Sequence, residues 1–242
     1  MTLVASHPDV AGINRKLGSL SAPGRIAWAI AEYGAGLTFA CSFGAEDMVV
    51  LDLLERQRPG VSLFVLDTGR LHEETYALIE EARRHYGRSF ETYAPQTVAL
   101  ERLLWERGPN SFHQSVEARK ACCAVRKVEP LSRALAGRSA WMTGLRRAQA
   151  VTRAELPFAE VDDAHGGIVK LNPLADWSEG DVWAYLRAHG VPRNALHDRG
   201  FPSIGCEPCT RAVAPGEDLR SGRWWWEAPE QKECGLHARG EG

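Results

Sequence analysis

The chain has 242 residues, 44% of them hydrophobic, which is enough to fill the core of one α/β domain without disulfide bonds. Its formal net charge of −2 provides no overall basic field, so we expect no nucleic-acid partner. No apolar run is long enough to span a bilayer and the opening segment lacks the layout of a secretory signal, so we expect no membrane partner and a cytoplasmic location.

Before residue 150, predicted strands alternate with predicted helices. A helix capped by Ser21 comes first. Short, apolar, β-branched runs then predict strands, and longer runs with helical period predict helices between them. The strands lie within residues 36–44, 61–69, 89–95 and 139–143, and the helices within 45–60 and 71–87. This alternation predicts an α/β fold with a doubly wound, mostly parallel sheet and helices on both faces.

The second part of the chain is less regular. Gly166–Gly167 predicts a hairpin turn between two strands, and Ser178 and Gly190 bound a predicted helix. After Val191 the sequence is rich in Gly, Pro, Arg and Trp and has little periodicity. We therefore expect one domain over residues 1–212 and an irregular tail over residues 213–242.

Four of the six cysteines form two pairs. In a reducing compartment such clusters are metal ligands or catalysts rather than disulfides. The Cys-x-x-Cys spacing of Cys206 and Cys209 lets two thiolates face one centre. The adjacent Cys122 and Cys123 fit a wide multi-iron centre better than a single tetrahedral ion. The pattern favours a [4Fe–4S] cluster, with a structural zinc site or a redox Cys-x-x-Cys as the alternatives.

The two remaining cysteines differ in context. Cys41 ends an apolar strand, which predicts a small buried hydrophobe. Cys234 lies in a polar tail, and the nearby Lys232 and His237 would favour its thiolate form. Cys234 is therefore a candidate nucleophile, although an incidental tail cysteine is the alternative reading.

Several residues could receive an anionic ligand. Residues 42–47 join a strand to a helix, where backbone N–H groups and the Ser42 hydroxyl could bind an anion, although an ordinary capped turn is the alternative. Residues 66–69 close the next strand, and open parallel sheets bind ligands at the carboxyl ends of their strands. Guanidinium and ammonium groups suited to a small dianion occur at Lys127, Arg146, Arg147, Arg220 and Arg223.

Seven motifs in this order resemble the assimilatory adenylyl-sulfate reductases of the thioredoxin-dependent bacterial type. They cover most of the chain from about residue 37 to residue 237. The motifs are SFGAED at 42–47, LDTG at 66–69, KACCAVRK at 120–127, TGLRR at 143–147, GCEPCTR at 205–211, GRWWWE at 222–227 and KECGLH at 232–237. The resemblance implies an adenine nucleotide alpha-hydrolase-like fold and a role in sulfate assimilation and cysteine biosynthesis.

The resemblance also implies a mechanism. Cys234 would attack the sulfur of adenosine 5′-phosphosulfate, AMP would leave, and thioredoxin or a glutaredoxin-like reductant would release sulfite from the S-sulfocysteine. A [4Fe–4S] cluster would be held by Cys122, Cys123, Cys206 and Cys209. The expected substrate contacts are Ser42, Gly44, Glu46, Asp47, Leu66, Lys127, Gly144, Arg146, Arg147, Arg220, Arg223 and His237. A homo-oligomer is expected on the same grounds.

Three other functions remain open on the sequence. Cluster-free relatives use the 3′-phosphorylated donor and lack both cysteine pairs, so the pairs favour the donor without that phosphate over a reductase for the 3′-phosphorylated donor or for both. An ATP-pyrophosphatase-type adenylating or thiolating enzyme usually has a Ser-Gly-Gly-x-Asp-Ser loop, whereas this chain has Ser-Phe-Gly-Ala-Glu-Asp. A zinc-stabilised binding module is disfavoured by the near-neutral charge and the tail thiol.

Overall fold

The structure is a computed structural model, and it describes residues 8–228 and Lys232. The centre of the fold is a six-stranded sheet. Its strands in chain order are β1 (Leu37–Ala40), β2 (Ser62–Leu66), β3 (Glu91–Tyr93), β4 (Ala140–Met142), β5 (Ala159–Asp162) and β6 (Ile168–Leu171). Their order across the sheet is β3-β2-β1-β4-β6-β5. Among these strands β5 alone is antiparallel to its neighbour. The predicted mostly parallel sheet is confirmed.

Helices cover the sheet. In the described part of the chain they are α1 (Val10–Gly18), α2 (Ala22–Tyr33), α3 (Ala45–Gln57), α4 (Glu73–Tyr86), α5 (Thr97–Arg107), α6 (Val116–Cys123), α7 (Glu129–Leu135) and α8 (Glu179–His189). A π-helical turn, Ala124–Val128, joins α6 to α7. None of the helices within residues 8–228 is long and apolar enough to cross a bilayer.

Local signals in the sequence set several element boundaries. The Ser21 hydroxyl accepts a hydrogen bond from the backbone N–H of Gly24, which caps α2. Ser178 and Asp181 bond each other reciprocally at the start of α8, and Gly190 ends that helix in the left-handed region at φ 61°. The predicted hairpin is confirmed as β5–β6, and its turn also contains the short 3₁₀ helix Asp163–His165.

The strand order places a crevice at the middle of the sheet. Strands β2 and β3 lie on one side of β1 in the sheet, and β4 and β6, which come later in the chain, lie on the other side. The connections after β1 and β4 therefore leave in opposite directions from neighbouring strands. Ligands bind at such a topological switch point because the loops part there. The carboxyl ends of β1 and β4 are thus the expected place for a binding site.

Helix α3, which follows β1, is fixed firmly to the frame. Met48 and Leu51 are fully buried in the main hydrophobic core. Asp52 accepts hydrogen bonds from the hydroxyls of Tyr86 on α4, at 3.2 Å, and Tyr185 on α8, at 2.7 Å. Because these contacts hold the body of α3, its N-terminus presents a rigid edge to the crevice.

Candidate active site

A cavity of about 230 Å³ occupies this crevice. Segments far apart in the sequence line it, including the loops after β1, β2 and β4, the π-helical turn and residues 219–224. Ten of the twelve expected substrate contacts lie on its wall: Ser42, Gly44, Glu46, Asp47, Leu66, Lys127, Gly144, Arg146, Arg220 and Arg223. The fold therefore brings most of the predicted contacts to a single place.

The turn between β1 and α3 shapes one wall of the cavity. Phe43 has a left-handed backbone, with φ 60°, which is uncommon for a residue other than glycine. Its ring is buried and lies 5.4 Å from that of Phe90, so packing holds the strained backbone in place. Gly44, the N-cap residue of α3, makes no side-chain capping bond. The first residues of α3, from Ala45 to Asp47, line the cavity, so this helix terminus lies where an anion could bind.

Asp47 ties the loops of the site together. Its buried carboxylate accepts hydrogen bonds from the backbone N–H of Ser42, at 2.6 Å, and from the Ser42 hydroxyl, at 2.5 Å. Burial raises the pKa of Asp47 to about 6, and the charge of Glu46 adds to this, while hydrogen bonds from Ser42 and the Gly144 backbone lower it. Asp47 thus organises the wall of the cavity by joining the loop after β1 to the loop after β4.

This raised pKa predicts a pH dependence of stability. Between about pH 4 and pH 6 the folded chain keeps a proton on Asp47 that the unfolded chain loses, so the free energy of unfolding should fall as pH rises, by on the order of 3 kcal/mol. Above about pH 6 this contribution should stay constant. Thermal unfolding of wild type and Asp47→Asn from pH 4 to pH 7 tests it. The stability of wild type relative to the variant should decline across that window, and parallel curves would contradict the assignment.

Gly144 allows the two loops to approach closely. A Cβ at this position would lie 2.3 Å from Asp47 Oδ1 and 3.0 Å from the Asp47 backbone nitrogen. We expect Gly144→Ala to destabilise the protein by about 1–3 kcal/mol, because backbone must shift to relieve the overlap. The unfolding midpoint should fall by about 2–4 °C for each kcal/mol. Gly180→Ala is the control, because its Cβ would meet only ordinary contacts. Equal midpoints for the two variants would refute the explanation.

Arg146 lines the cavity and forms an ion pair with Glu46. The side chain is almost fully buried and its guanidinium binds Glu46 Oε1 at 2.7 and 2.9 Å. It also donates to the Trp177 carbonyl oxygen at 3.3 Å. The ion pair offsets the cost of burying Arg146, and it fixes Glu46 on the first turn of α3.

The structure separates Arg147 from the cavity. Its Nε donates to the Leu156 carbonyl oxygen at 2.8 Å, and its guanidinium lies 4.9 Å from the centre of the Phe158 ring. Arg147 is therefore not among the residues that line the cavity, and its contact with the substrate stays a prediction. Arg153 lines the cavity instead and donates to Gln149 Oε1 at 2.8 Å. Extending the arginine-rich motif by six residues would have found Arg153.

Three further basic residues meet at the cavity. Lys127 lies on the π-helical turn, and Arg220 and Arg223 come from the C-terminal part of the described chain. Arg223 is buried and donates to the carbonyl oxygen of Ile204 at 3.1 Å. A Cβ on Gly205 would come within 2.3 Å of the Arg223 guanidinium, so a larger residue there would displace this side chain. The cations suit an anionic ligand.

The four paired cysteines gather beside the cavity. Cys122 and Cys123 end α6, whereas Cys206 and Cys209 lie at the short 3₁₀ helix Glu207–Cys209. They form one cluster with Phe112, Trp224 and Trp226, and apart from the half-buried Cys122 the cysteines are buried. Trp224 is buried in this cluster, whereas Trp225 is 41% exposed.

The thiols of this cluster lie in an apolar setting. Burial raises the pKa of Cys209 to about 12 and also raises that of Cys122. The Thr68 hydroxyl lies 3.3 Å from Cys206 Sγ. Within residues 8–228, no three His, Cys, Asp or Glu side chains converge so as to hold one metal ion. The four cysteines thus share one cluster that is largely buried.

The remaining cysteines fall in different parts of the chain. Cys41 is 3% exposed and belongs to the main core, which confirms the prediction of a small buried hydrophobe. Burial raises the pKa of its thiol. Cys234 and His237, the candidate nucleophile and one expected contact, lie outside the described residues.

Comparison with known proteins agrees with the site. Residues 36–212 match the phosphoadenosine phosphosulfate reductase domain. A curated adenosine 5′-phosphosulfate reductase from Allochromatium vinosum is 59% identical over 84% of this chain and 79% of its own length. One from Burkholderia cepacia is 52% identical over 98% of this chain and 92% of its own.

Solved structures give the same result for the fold. The phosphoadenylyl-sulfate reductase of Candida auris, in a phosphate complex, has a TM-score of 0.72 and 30% identity, and the match covers 84% of this chain and 96% of that one. The NH3-dependent NAD synthetase of Campylobacter jejuni has a TM-score of 0.50 and 10% identity, covering 76% of this chain and 74% of its own, and shows likeness of fold alone. The expected adenine nucleotide alpha-hydrolase-like fold is confirmed.

Proposed function

Because the chain belongs to the phosphoadenosine phosphosulfate reductase family, we propose that it is the oxidoreductase that converts adenosine 5′-phosphosulfate to sulfite and AMP in sulfate assimilation. The observation that carries this proposal is the 52% identity with a curated adenosine 5′-phosphosulfate reductase over nearly the whole chain. The cavity supports it, because cations from three segments surround the place where a phosphosulfate would bind.

In the first step, the Cys234 thiolate attacks the sulfur of the sulfonyl group. An S–S bond forms, the bond from sulfur to the bridging oxygen breaks, and AMP leaves with the electron pair. The sulfur is shielded by anionic oxygens that repel a thiolate. Lys127, Arg220 and Arg223 line the cavity and would reduce that repulsion and stabilise the charge that passes to AMP.

In the second step, an external dithiol releases the product. A thiolate of reduced thioredoxin, or of a glutaredoxin-like protein, attacks Cys234 Sγ, and sulfite leaves with the electron pair of the S–S bond. The second thiol of the reductant then resolves the mixed disulfide and restores the Cys234 thiol. The dithiol supplies both electrons, so the reaction suits a reducing compartment such as the cytoplasm. Assembly into a homo-oligomer remains a prediction.

The nucleotide would lie along the carboxyl ends of the strands. Leu66, at the end of β2, lines the cavity, and its backbone is the candidate contact for adenine. The turn from Ser42 to Asp47 would receive an anionic group at the N-terminus of α3. Arg146 forms an ion pair with Glu46, so its role would be to hold the turn from Ser42 to Asp47 in place as part of the cavity wall.

We further propose that the four clustered cysteines hold a [4Fe–4S] centre. One observation supports it: the four cysteines share one largely buried cluster beside the cavity. A multi-iron centre offers separated attachment points, whereas zinc needs its ligands around one atom. When bound, the cluster would order the cavity and tune the electrostatic field there. Lys127 lies on the π-helical turn, one turn after Cys123, and also lines the cavity, so it would connect the cluster with the substrate site.

Sulfite release with reduced thioredoxin tests the function. We expect turnover of adenosine 5′-phosphosulfate, and a higher kcat/KM for it than for the same donor carrying a 3′-phosphate. The reverse preference would indicate a phosphoadenylyl-sulfate reductase, as the similar Candida auris protein is named. Adenylation or thiolation of a substrate with consumption of ATP, and no sulfite from either donor, would indicate an ATP-pyrophosphatase-type enzyme.

A further inference from the structure

A buried ion pair joins the helix that bears two of the cysteines to a residue within the C-terminal tail. Arg119 lies on α6, and Glu227 follows the three tryptophans. Their side chains are 1% and 2% exposed. Arg119 Nε donates to Glu227 Oε1 at 3.0 Å and Nη2 donates to Oε2 at 2.7 Å. This two-bond geometry fixes both the distance and the direction of the Glu227 side chain.

The segment around Glu227 is held in one conformation. Trp224 is buried and has a left-handed backbone at φ 41°, which persists only where surrounding contacts impose it. The Arg119 guanidinium lies 4.7 Å from its ring and the Arg223 guanidinium 4.8 Å. The backbone N–H of Trp224 donates to the Cys209 carbonyl oxygen at 3.1 Å, and the backbone N–H of Glu227 donates to the Trp224 carbonyl oxygen at 2.8 Å. The chain therefore leaves this region from a fixed point.

A second set of contacts, at Lys232, holds the tail further along the chain. Arg220 Nη2 donates to the Lys232 carbonyl oxygen at 2.9 Å, and Lys232 Nζ donates to the Ser221 carbonyl oxygen at 3.2 Å. Arg220 also lines the cavity. Cys234 follows Lys232 by two residues, so chain geometry limits the separation of their Cα atoms to about 7 Å. Glu227 and Lys232 thus fasten the chain at two points shortly before Cys234.

We propose that the Arg119–Glu227 pair is a positioning device that sets where the Cys234 thiolate can reach, and that the Lys232 contacts complete it. This inference rests on the proposed function of Cys234. Neither Arg119 nor Glu227 lines the cavity, so neither side chain is placed to touch the nucleotide directly. Fixing the start of a short tether raises the effective concentration of the group that it carries.

The test separates delivery of the thiolate from binding of the nucleotide. Wild type and Glu227→Gln are mixed with adenosine 5′-phosphosulfate without reductant, and the SO₃ adduct on Cys234 is followed by mass spectrometry. We expect the variant to form the adduct about 10²-fold more slowly, the scale expected for a misplaced reacting group. AMP affinity should stay within about threefold, and the rate of Cys234 alkylation by iodoacetamide should not fall.

Two control variants make the result decisive. Glu160→Gln breaks the partly buried Lys170–Glu160 pair on β5 and β6, and should form the adduct at the wild-type rate. Arg119→Met/Glu227→Leu removes the pair without leaving an unpaired buried charge, and so covers the case in which Glu227→Gln does not fold. It should also slow adduct formation, by at least about tenfold, with AMP affinity retained.

Two outcomes would overturn the inference. In the first, the double variant forms the adduct at the wild-type rate. In the second, AMP affinity falls in proportion to the adduct rate, which would assign the pair to the shape of the cavity. Failure of the proposed function is distinguishable, because wild type itself would then form no adduct on Cys234.

Discussion

Cys234→Ser is expected to lower sulfite formation by at least about 10⁴-fold, the scale on which loss of a covalent nucleophile acts. A serine hydroxyl remains protonated at neutral pH and cannot form the S–S bond on which release of sulfite depends. The cavity residues that would hold the nucleotide are unchanged in this variant. AMP affinity should therefore stay within about twofold, so the loss should appear in kcat.

Mass spectrometry of the terminal peptide provides the second measurement. Without reductant, wild type should gain the mass of one SO₃ group on Cys234 and the serine variant should gain none. Cys41→Ala is the matched control: Cys41 is the other cysteine outside the two pairs, and its thiol is buried in the main core where that core borders the cavity. It should still form the adduct on Cys234. Sulfite formation by Cys234→Ser near the wild-type rate would remove this residue from the mechanism.

Cys206→Ser is expected to have the second largest effect, through the cofactor. Cys206 is buried in the cluster of four cysteines, and its Sγ contacts the Thr68 hydroxyl. Serine is a hard, weakly acidic ligand in place of a soft thiolate, so it should bind iron poorly. We expect the anaerobically purified variant to lose most of its iron, acid-labile sulfide and brown colour, and sulfite formation to fall with them.

Metal analysis of wild type decides between the cofactors left open by the sequence. About four irons per chain with matching sulfide would support the [4Fe–4S] centre. A colourless preparation with one zinc per chain would support the Cys₄ zinc site instead. Cys41→Ser should retain full metal content, because Cys41 lies in the main core rather than in the cysteine cluster. Loss of metal from both variants would point to general unfolding.

Metal content and adduct formation together separate the two roles of cysteine. Cys234→Ser should keep its colour and lose the adduct, since its change lies in the tail. Cys206→Ser should lose its colour and, through disorder of Lys127 and the neighbouring cavity wall, also lose AMP affinity. Glu227→Gln should keep both colour and AMP affinity, because its defect is in delivery of the thiolate. The three variants thus give three different combinations of results.

The sequence by itself determined the elements whose signals are local. Caps at Ser21 and Ser178, the stop at Gly190 and short apolar runs predicted α2, α8 and the strands, because each signal acts within a few residues. Helix α1 and the helices from α5 to α7 were not predicted from the sequence. In α5 only Leu103 is buried and Trp105 is 85% exposed, so the apolar pattern is weak.

Motif spacing also determined most of the site, while the tertiary structure decided its geometry. Arg146 and Arg147 are adjacent in the sequence, yet one binds Glu46 in the cavity wall and the other packs on Phe158. The Arg119–Glu227 pair joins residues that are 108 positions apart. Helical period and cap chemistry depend on neighbours along the chain, whereas burial and ion pairing depend on which surfaces meet after the sheet has formed. Only the folded chain could therefore show these contacts.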